Sequence, residues 1–397
     1  MSKLLAPPEP GFEDSDLALV LTGGGARGAY QVGVLRWIAR HYPELRVPIL
    51  TGVSAGAVNA AHLGGHHGTF PQAVDELAGL WRQLTLDNVF VLSPPTLGWT
   101  AIRWVARLAS GGLLKGPMVR ALLDTQPLRA YLEEAYAAVR GQVTGIEYNL
   151  QRGTLKAVAV STTDYSTGES VVWVEGRGIA PWSRPRRRAV HTRLTVEHVM
   201  ASAAIPLFFP AVKIGRSWYG DGGIQLTAPL SPALHLGARR IIAISTRYEQ
   251  PGAGRRRKTT LGYPPPATIL GMLLNAVFLD LVEQDAARVY RFNALLARVP
   301  PAERGGLRLI ELVTLRPSKD LGRLARKYER QLPGTFRFLT RGLGTGQTAS
   351  PDLLSMLSFI PDYMDRIMAI GEEDAERSAE RLVAILDPAA AGALGGK

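Results

Sequence analysis

The residue with the clearest chemical potential is Ser54, in the pentapeptide Gly52-Val53-Ser54-Ala55-Gly56. The apolar run Val47–Leu50 before it predicts a short buried strand, and the run AVNAAHLG after it predicts a helix. A G-x-S-x-G sequence between a strand and a helix is typical of a nucleophile elbow. The tight turn exposes the serine hydroxyl, and the helix N-terminus faces developing negative charge. The alternative is a Gly/Ser turn in which Ser54 only caps the helix.

A glycine-rich loop, Gly23 to Gly28 (GGGARG), follows the apolar run Leu17–Leu21 and precedes a helical pattern. Its G-x-G-x-x-G form also marks dinucleotide-binding turns. Such a turn predicts an acid at the end of the second strand, but that strand ends in LTG and the nearest acid, Glu44, precedes it. The rival use is an oxyanion hole, in which the N–H groups of Gly24 and Gly25 converge on an oxyanion. A tight turn without chemistry is the third interpretation.

A nucleophilic serine needs a base. Asp221 begins the tripeptide Asp221-Gly222-Gly223 after a predicted strand, although D-G-G alone usually marks a turn. In α/β-hydrolases the order is serine, acid, histidine, and the serine lies well into the chain. Here Ser54 follows only the second predicted strand, and His235 is the one histidine after Asp221. His235 falls in a predicted amphipathic helix, where a core or surface role fits better than catalysis.

The three motifs, in this order and spacing, resemble the patatin-like phospholipase family, bacterial type. Three further stretches are similar to that family: TTDYSTGE at 162–169, ASAAIPLFFP at 201–210 and DGGIQLTAPLSPALHLGA at 221–238. The resemblance runs from about Leu17 to about Thr246. A fourth stretch, IPDYMDRIMAIGEEDA at 360–375, is similar to the C-terminal helix of bacterial members.

The resemblance implies a serine–aspartate dyad without histidine, with Ser54 as nucleophile and Asp221 as its general base. Gly24 and Gly25 match the oxyanion-hole glycines. Arg27 matches the basic position of G-G-G-x-[RK]-G, where it either braces the loop or faces a lipid phosphate. The other glycines of the matched motifs support these loops: Gly23, Gly28, Gly52, Gly56, Gly222 and Gly223. Serine–aspartate chemistry needs no metal, and we expect no cofactor.

The implied activity is hydrolysis of lipid acyl esters, of the phospholipase A or lysophospholipase type. An aspartate with its free pKa of about 4 is a weak base for a serine hydroxyl, and burial would raise that pKa. We therefore expect apolar side chains to shield the dyad, and the candidates are Ile205, Leu207, Phe208 and Phe209. The alternatives are an acyltransferase or non-lipid esterase on the same dyad, or a non-catalytic lipid- or nucleotide-binding protein.

The net charge of +12 predicts an anionic partner, either a lipid surface or a nucleic acid. Two basic clusters contribute: Arg184, Arg186, Arg187, Arg188 and Arg193, and then Arg255, Arg256, Arg257 and Lys258. Neither has the aromatic interleaving of nucleic-acid binders, so we expect no nucleic acid. We expect peripheral contact with an anionic membrane through these clusters and the amphipathic stretch Leu97–Leu108, an interfacial anchor or lid. Solvated loops and a core helix are the alternatives.

The absence of cysteine excludes disulfides, cysteine-based zinc sites, iron–sulfur clusters and a thiol nucleophile. The first sixteen residues have no apolar core typical of a secretory signal. The apolar stretch Ile269–Val282 is shorter than the roughly 20 residues of a spanning helix. These patterns favour a cytoplasmic or peripherally membrane-associated protein of undetermined oligomeric state.

The alternation of predicted strands and helices indicates an α/β fold. We expect a three-layer α/β/α sandwich with a central, mostly parallel sheet and Ser54 at its C-terminal edge. The predicted organisation is an N-terminal extension (1–16), a patatin-like catalytic domain (17–249), a mainly helical C-terminal region (250–386) and a flexible tail (387–397). A predicted strand at 307–315 lies in the helical region, and the sequence leaves open whether it joins the same sheet.

Overall fold

A computed structural model of the chain describes residues 16–91, 121, 123–248, 269, 272, 281–342 and 352–387. Several predicted features lie outside these residues. They are the N-terminal extension up to residue 15, the amphipathic stretch Leu97–Leu108, the basic cluster at 255–258 and the tail from residue 388. Most of the apolar stretch Ile269–Val282 also lies outside them.

Among the described residues, ten strands form one sheet, in the order β10-β9-β1-β2-β3-β4-β6-β5, with β8 paired to both β3 and β7. The strands are β1 (Leu17–Leu21), β2 (Ile49–Val53), β3 (Ala157–Asp164), β4 (Ser170–Gly176), β5 (Ser183–Arg184), β6 (Arg187–His191), β7 (Val212–Ile214), β8 (Ser217–Asp221), β9 (Arg240–Ile244) and β10 (Glu311–Leu315). The run from β10 through β9, β1 and β2 to β3 is parallel throughout. Strands β4 and β8 both pair antiparallel with β3.

The described helices cover both faces of this sheet. They are α1 (Ala29–His41), α2 (Ala55–Gly65), α3 (Phe70–Gln83), α4 (Leu86–Val89), α5 (Gln126–Ala135), α6 (Thr144–Gln151), α7 (Val196–Ser202), α8 (Ser231–His235), α9 (Leu281–Leu296), α10 (Leu321–Tyr328), α11 (Gly334–Gly342), α12 (Asp352–Leu357), α13 (Pro361–Arg377) and α14 (Ala379–Leu386). Short 3₁₀ helices lie at Gly25–Gly28, Gly222–Ile224, Pro301–Glu303 and Glu329–Gln331.

Two separate hydrophobic cores lie on opposite faces of the sheet. Successive side chains of a strand point to opposite faces. Leu17, Leu19 and Leu21 of β1 accordingly belong to the core that includes α1, α2, α3 and α13. Ala18 and Val20 belong to the other core, with α8 and α9. Strands buried on both faces explain the unbroken apolar runs of the sequence. The predicted three-layer α/β/α fold with a mostly parallel sheet is confirmed.

The C-terminal region packs directly against the rest of the fold. The strand predicted at 307–315 is β10, which joins the sheet in parallel beside β9. It begins later than predicted, at Glu311, where its pairing with Arg240 starts, and Leu307 and Leu309 before it are exposed. Helix α13 crosses α1 where Gly33 faces Gly371, so that their backbones meet with no side chain between them.

This crossing predicts that Gly33→Ala lowers the free energy of unfolding by about 1 to 3 kcal/mol, the usual cost of overpacking. An added Cβ would lie closer to the Met368 backbone than real Cβ atoms approach. The matched control is Gly79→Ala in α3, where an added Cβ meets nothing within 4 Å. The control is expected to leave stability unchanged or raise it by up to about 1 kcal/mol. Urea unfolding measures both, and equal effects of the two substitutions would contradict the crossing.

Candidate active site

The carboxyl ends of neighbouring parallel strands bring the predicted site residues together. The glycine loop follows β1, Ser54 follows β2, and Ser245 and Thr246 follow β9, so all three segments leave the same edge of the sheet. Asp221 reaches the edge by another route, because β8 pairs antiparallel with the end of β3, Thr162 opposite Asp221. This edge is where open α/β sheets place their ligands.

Ser54 occupies a strained turn between β2 and α2. Its φ of 55° and ψ of −127° lie where non-glycine residues are seldom found. Its side chain makes no capping hydrogen bond, so the helix-cap interpretation lacks its defining contact. The turn depends on two close backbone approaches. An added Cβ on Gly52 would collide with the backbone of Gly56, and one on Gly56 would collide with the backbone of Leu21.

A buried serine that the sequence analysis did not single out anchors this turn. The N–H of Ser54 donates to Oγ of Ser202 at 2.9 Å. The Ser202 hydroxyl in turn donates to the carbonyl oxygen of Ser161 in β3 at 2.7 Å. Ser202 is fully buried at the end of α7. Its only sequence signal was a serine inside the apolar motif ASAAIPLFFP.

The Asp221 side chain is fully buried beside Ser54. Its Oδ1 accepts a hydrogen bond from the N–H of Gly223 at 2.9 Å. Its Oδ2 has no hydrogen-bond partner among the described residues. The backbone carbonyl of Asp221 accepts from Oγ1 of Thr163 at 2.9 Å, which fixes the end of β8. One carboxylate oxygen is therefore positioned by the protein and the other is available for a proton.

Burial raises the pKa of Asp221 to about 7. The Ser54 side chain, as a nearby hydrogen-bond donor, and the Gly223 N–H lower that pKa, but burial outweighs them both. A carboxylate whose pKa lies near neutral pH binds a proton far more readily than an ordinary aspartate does. The same group is still ionised in a large fraction of molecules at pH 7, so it can act as a base.

The glycine loop lies against Ser54. An added Cβ on Gly23 would come within 3.0 Å of the Ser54 Cβ. Gly24 and Gly25 take φ values of 150° and 56°, which glycine adopts readily. Among the described residues, neither the Gly24 nor the Gly25 N–H has a hydrogen-bond acceptor. Two unpaired donors next to a serine are what an oxyanion hole requires.

The carbonyl oxygens of Gly23 and Gly24 in this loop both accept hydrogen bonds. The Thr246 hydroxyl donates to the carbonyl oxygen of Gly23 at 2.5 Å. The N–H of Arg27 donates to the carbonyl oxygen of Gly24 at 3.2 Å. In a planar trans peptide the C=O and the following N–H point in opposite directions. Holding these two carbonyls therefore orients the N–H groups of Gly24 and Gly25.

A buried polar network ties the loop to the helices around it. Trp81 Nε1 donates to Asn59 Oδ1 at 2.7 Å, and Asn59 Nδ2 donates to Gln31 Oε1 at 2.9 Å. Gln31 Nε2 donates to the carbonyl oxygen of Thr22 at 2.8 Å, and Asn59 also reaches that of Gly28. The network thus holds both ends of the glycine loop. Sequence reasoning gave no role to these residues.

Arg27 is buried, with 3% of its surface exposed. Its Nε donates to Ser355 Oγ at 2.7 Å, and its Nη2 lies 2.5 Å from Asp352 Oδ1. Both partners belong to α12. Of the two roles left open by the sequence, this geometry fits bracing of the loop, because the guanidinium is already paired inside the protein.

An apolar pocket opens beside Ser54 and Gly25 and follows one face of α2. Its walls come mainly from α2, α3, α5 and the loop after α7: Ala55, Val58, His62, Leu77, Leu80, Trp81, Leu84, Val89, Leu128, Tyr131, Leu132, Ala135, Tyr136, Ala203, Ile205, Phe209 and Phe359. Ser54 and His62 are eight residues apart, about 12 Å along the helix. The pocket therefore extends well beyond the serine.

Three polar side chains in these walls bond to backbone carbonyls. Tyr131 donates to the oxygen of Leu80 at 2.7 Å, and Tyr136 donates to that of Val58 at 3.1 Å. His62 Nε2 lies 3.1 Å from the carbonyl oxygen of Ala73. Burial lowers the pKa of His62 to about 4, so its ring is neutral at pH 7. These groups leave the pocket with a hydrocarbon-like lining.

Of the four residues predicted to shield the dyad, two line the pocket beside Ser54, a third is buried, and the prediction is wrong for the fourth. Ile205 and Phe209 line the pocket, and Phe208 is buried. Leu207 is 57% exposed. The physical reason is its φ of 70°, which reverses the chain there and turns the Leu207 side chain outward while its neighbours face inward.

His235 is not part of the site. Its Nδ1 lies 2.8 Å from the carbonyl oxygen of Ser231, and its ring packs on Trp182 with centroids 4.3 Å apart. Burial lowers its pKa. It makes no hydrogen bond to Ser54 or Asp221, so the geometry offers no Ser-His-Asp triad through this residue.

The described basic cluster is partly neutralised by acidic neighbours. Arg188 pairs with Asp164 and Glu169, and Arg193 pairs with Glu147. In the part of the chain that the structure describes, no His, Asp and Glu residues gather in a group of three that could hold a metal ion. No helix there is both long and apolar enough to cross a membrane.

Several solved structures are similar to this chain at low sequence identity. It is 12% identical to VipD from Legionella pneumophila (TM-score 0.36, covering 91% of this chain and 66% of that one). It is 13% identical to human GIVD cytosolic phospholipase A2 with a bound fluorophosphonate inhibitor (TM-score 0.45, covering 94% and 59%). The chain thus spans less than two thirds of each of these proteins. The search of curated proteins gave no match.

The sequence profile of the family described as patatin-like phospholipase matches residues 19–234. This span is more than half of the chain, and it contains the glycine loop, the Ser54 turn and Asp221. The chain therefore belongs to the patatin-like phospholipase family.

Proposed function

We propose that this protein hydrolyses lipid acyl esters with Ser54 as nucleophile and Asp221 as general base. The observation that carries the proposal is a fully buried carboxylate with a pKa of about 7 beside a serine on a strained turn. Two N–H groups that have no acceptor among the described residues, those of Gly24 and Gly25, lie in the loop against the same serine, and an apolar pocket opens beside it. Family membership supports the same reaction class.

In the first step, the Ser54 hydroxyl attacks the ester carbonyl carbon while Asp221 takes the hydroxyl proton. The carbonyl oxygen becomes an oxyanion, which the N–H groups of Gly24 and Gly25 stabilise. The tetrahedral intermediate collapses by breaking the bond to the leaving oxygen. Asp221 returns its proton to that oxygen, so an alcohol or lysolipid departs and an acyl-serine is left.

In the second step, a water molecule attacks the acyl-serine with the same base taking its proton. A second oxyanion forms and collapses, the serine oxygen regains the proton, and the fatty acid departs. An acceptor alcohol in place of water would give acyl transfer by the same steps. Hydrolysis and acyl transfer thus share one site and differ only in which hydroxyl reaches the acyl-serine.

The pocket supports an acyl chain as the group bound next to Ser54. Its run of about 12 Å along α2 is long enough for several carbons of an extended chain. Its hydrocarbon-like lining favours an unsubstituted chain, because any buried polar group would lack a partner. The same lining argues against a dinucleotide beside the glycine loop. Peripheral contact with an anionic membrane, through the basic clusters and residues 97–108, completes the proposal for a phospholipid or other acyl-ester substrate.

The dyad predicts that Ser54→Ala and Asp221→Ala each lower kcat by about 10⁴ to 10⁶, as when a nucleophile or its base is lost. The control is His235→Ala, which is expected to keep most of the activity because His235 lies outside the site. Hydrolysis of a nitrophenyl octanoate and of phospholipid vesicles measures kcat, and thermal unfolding checks that each variant folds. A loss in His235→Ala as large as that in Ser54→Ala would restore a triad.

The pKa of Asp221 predicts the pH dependence of turnover. The base must be ionised, and its pKa is raised to about 7. Hence kcat/KM for a non-ionising ester should fall tenfold per pH unit well below 7 and level off above it. The readout is a pH–rate profile between pH 5 and 9 on one neutral substrate. A profile that stays flat down to pH 5 would show that no buried carboxylate acts as the base.

The pocket predicts that Val58→Phe shortens the acyl chain that the enzyme accepts. Val58 lines the pocket between Ser54 and His62, so a larger ring there blocks its deeper half. Losing three or four buried methylenes at about 0.8 kcal/mol each lowers kcat/KM for octanoyl esters roughly 10²-fold. Acetyl esters should be hydrolysed as before. Val139→Phe, at an exposed position, is the control; a parallel loss on both esters would argue against an acyl pocket.

A further inference from the structure

The partners of Arg27 lie outside the part of the chain that the family profile covers. Arg27 belongs to the glycine loop, within the matched residues 19–234. Asp352 and Ser355 belong to α12, more than 300 residues further along the chain. A helix that no family motif includes therefore touches the loop proposed to stabilise the oxyanion.

The contacts of this Arg27 clasp, as we call Arg27 with Asp352 and Ser355, link the three residues to one another. Arg27 Nε donates to Ser355 Oγ at 2.7 Å, and Arg27 Nη2 donates to both Oδ1 and the backbone carbonyl of Asp352. The Ser355 hydroxyl donates to the same Asp352 carbonyl at 2.7 Å. Ser355 is fully buried, and the Asp352 side chain is 28% exposed. The clasp fixes the guanidinium in one position.

The Arg27 clasp is connected to the Gly25 N–H, a proposed oxyanion donor, through the peptide between Gly24 and Gly25. The Arg27 N–H holds the carbonyl of Gly24, and the N–H on the opposite side of that peptide belongs to Gly25. On its other side Gly25 lies against the backbone carbonyl of Met356, also in α12. The backbone of Arg27 and helix α12 are thus both in contact with the peptide that carries the Gly25 N–H.

We propose that Asp352 and Ser355 are positioning residues for the oxyanion hole, acting through Arg27 on the Gly24–Gly25 peptide. The C-terminal region is then a part of the catalytic unit. This proposal rests on the proposed function, because it concerns the geometry of the same site. Since Arg27 is occupied inside the protein, it also leaves recognition of the lipid head group to other residues.

The test compares Asp352→Asn and Ser355→Ala with Asp365→Asn. Asp365 of α13 pairs at 2.7 Å with Arg82, which lies within the family-matched residues 19–234, but both side chains are exposed. Asp365→Asn thus makes the same chemical change as Asp352→Asn, in another ion pair between the C-terminal region and the family-matched residues. We expect Asp352→Asn and Ser355→Ala to lower kcat about 10- to 100-fold with KM nearly unchanged, because an oxyanion contact exists only in the transition state. Asp365→Asn should keep the wild-type kcat.

A second measurement separates positioning from a loss of folding. A trifluoromethyl ketone with an octyl chain forms a tetrahedral adduct with the serine and needs the oxyanion hole. Its inhibition constant should rise in proportion to the loss of kcat/KM, whereas the Kd of octanoate, a product without that geometry, should stay the same. The kcat and the ketone inhibition constant of Arg27→Lys should lie between those of wild type and Asp352→Asn. Lysine keeps the positive charge but lacks the second nitrogen donor of the guanidinium.

Three results would overturn the proposal. One is a kcat for Asp352→Asn and Ser355→Ala equal to that of Asp365→Asn. Another is a rise in KM with kcat unchanged. A third is an unchanged inhibition constant of the trifluoromethyl ketone while kcat falls. If Asp352→Asn does not fold, Ser355→Ala and Arg27→Lys decide the outcome by the same criteria. A wild-type chain without any ester turnover would instead refute the proposed function, and this proposal with it.

Discussion

The burial of one carboxylate next to one serine is the constraint on which the rest of this site depends. Asp221 has no exposed surface, and its pKa rises to about 7 for that reason. Apolar surroundings disfavour the ionised form of a buried acid and so raise its pKa, and fixed hydrogen bonds offset part of the cost of burying it. Antiparallel pairing of β8 with β3 fixes the end of that strand, and the loop after α7 supplies apolar side chains beside the site. With a base of this strength, the proposed chemistry needs no histidine.

The serine and the glycine loop meet this carboxylate because they leave neighbouring parallel strands at one edge of the sheet. Strain at Ser54 is held by Ser202 and by the two backbone approaches at Gly52 and Gly56. The carbonyls of Gly23 and Gly24 are held by Thr246 and Arg27. Preorganised donors are effective because they need no rearrangement during the reaction. Thr246 and helix α12, which help to hold these donors in place, both lie beyond residues 19–234, the part of the chain that the family profile matches.

Features that depend on local sequence could be predicted from it. The elbow around Ser54 and the glycine loop each combine a short strand, a turn with close backbone approaches and a helix, and these leave a readable pattern. Asp221 was placed by the order of motifs in a family resemblance. The alternation of strands and helices predicted α/β layers with parallel strands, and the family resemblance implied the three-layer arrangement. Whether Ser54 and Asp221 act as a catalytic dyad is a proposal for experiment.

Features that depend on tertiary contacts could not be predicted. Thr246 and Gly23 are 223 residues apart, and Arg27 and Ser355 are 328 apart, so no local pattern links them. Ser202 and Asn59 are single polar residues in apolar runs, a signal shared by many residues without function. The error at Leu207 has a similar origin. An irregular loop has no regular spacing of apolar residues that would tell inward from outward side chains. The positive φ of Leu207 sets the direction of its side chain.

The most direct test of an activated serine paired with a buried aspartate is mapping of a fluorophosphonate adduct by mass spectrometry. The full chain and its Asp221→Ala variant are treated with the probe in the presence of anionic vesicles, and the modified peptide is identified. The account predicts a single adduct on Ser54 in the wild type and strong suppression of that adduct in Asp221→Ala. Absence of an adduct on Ser54, or labelling that does not depend on Asp221, would contradict it.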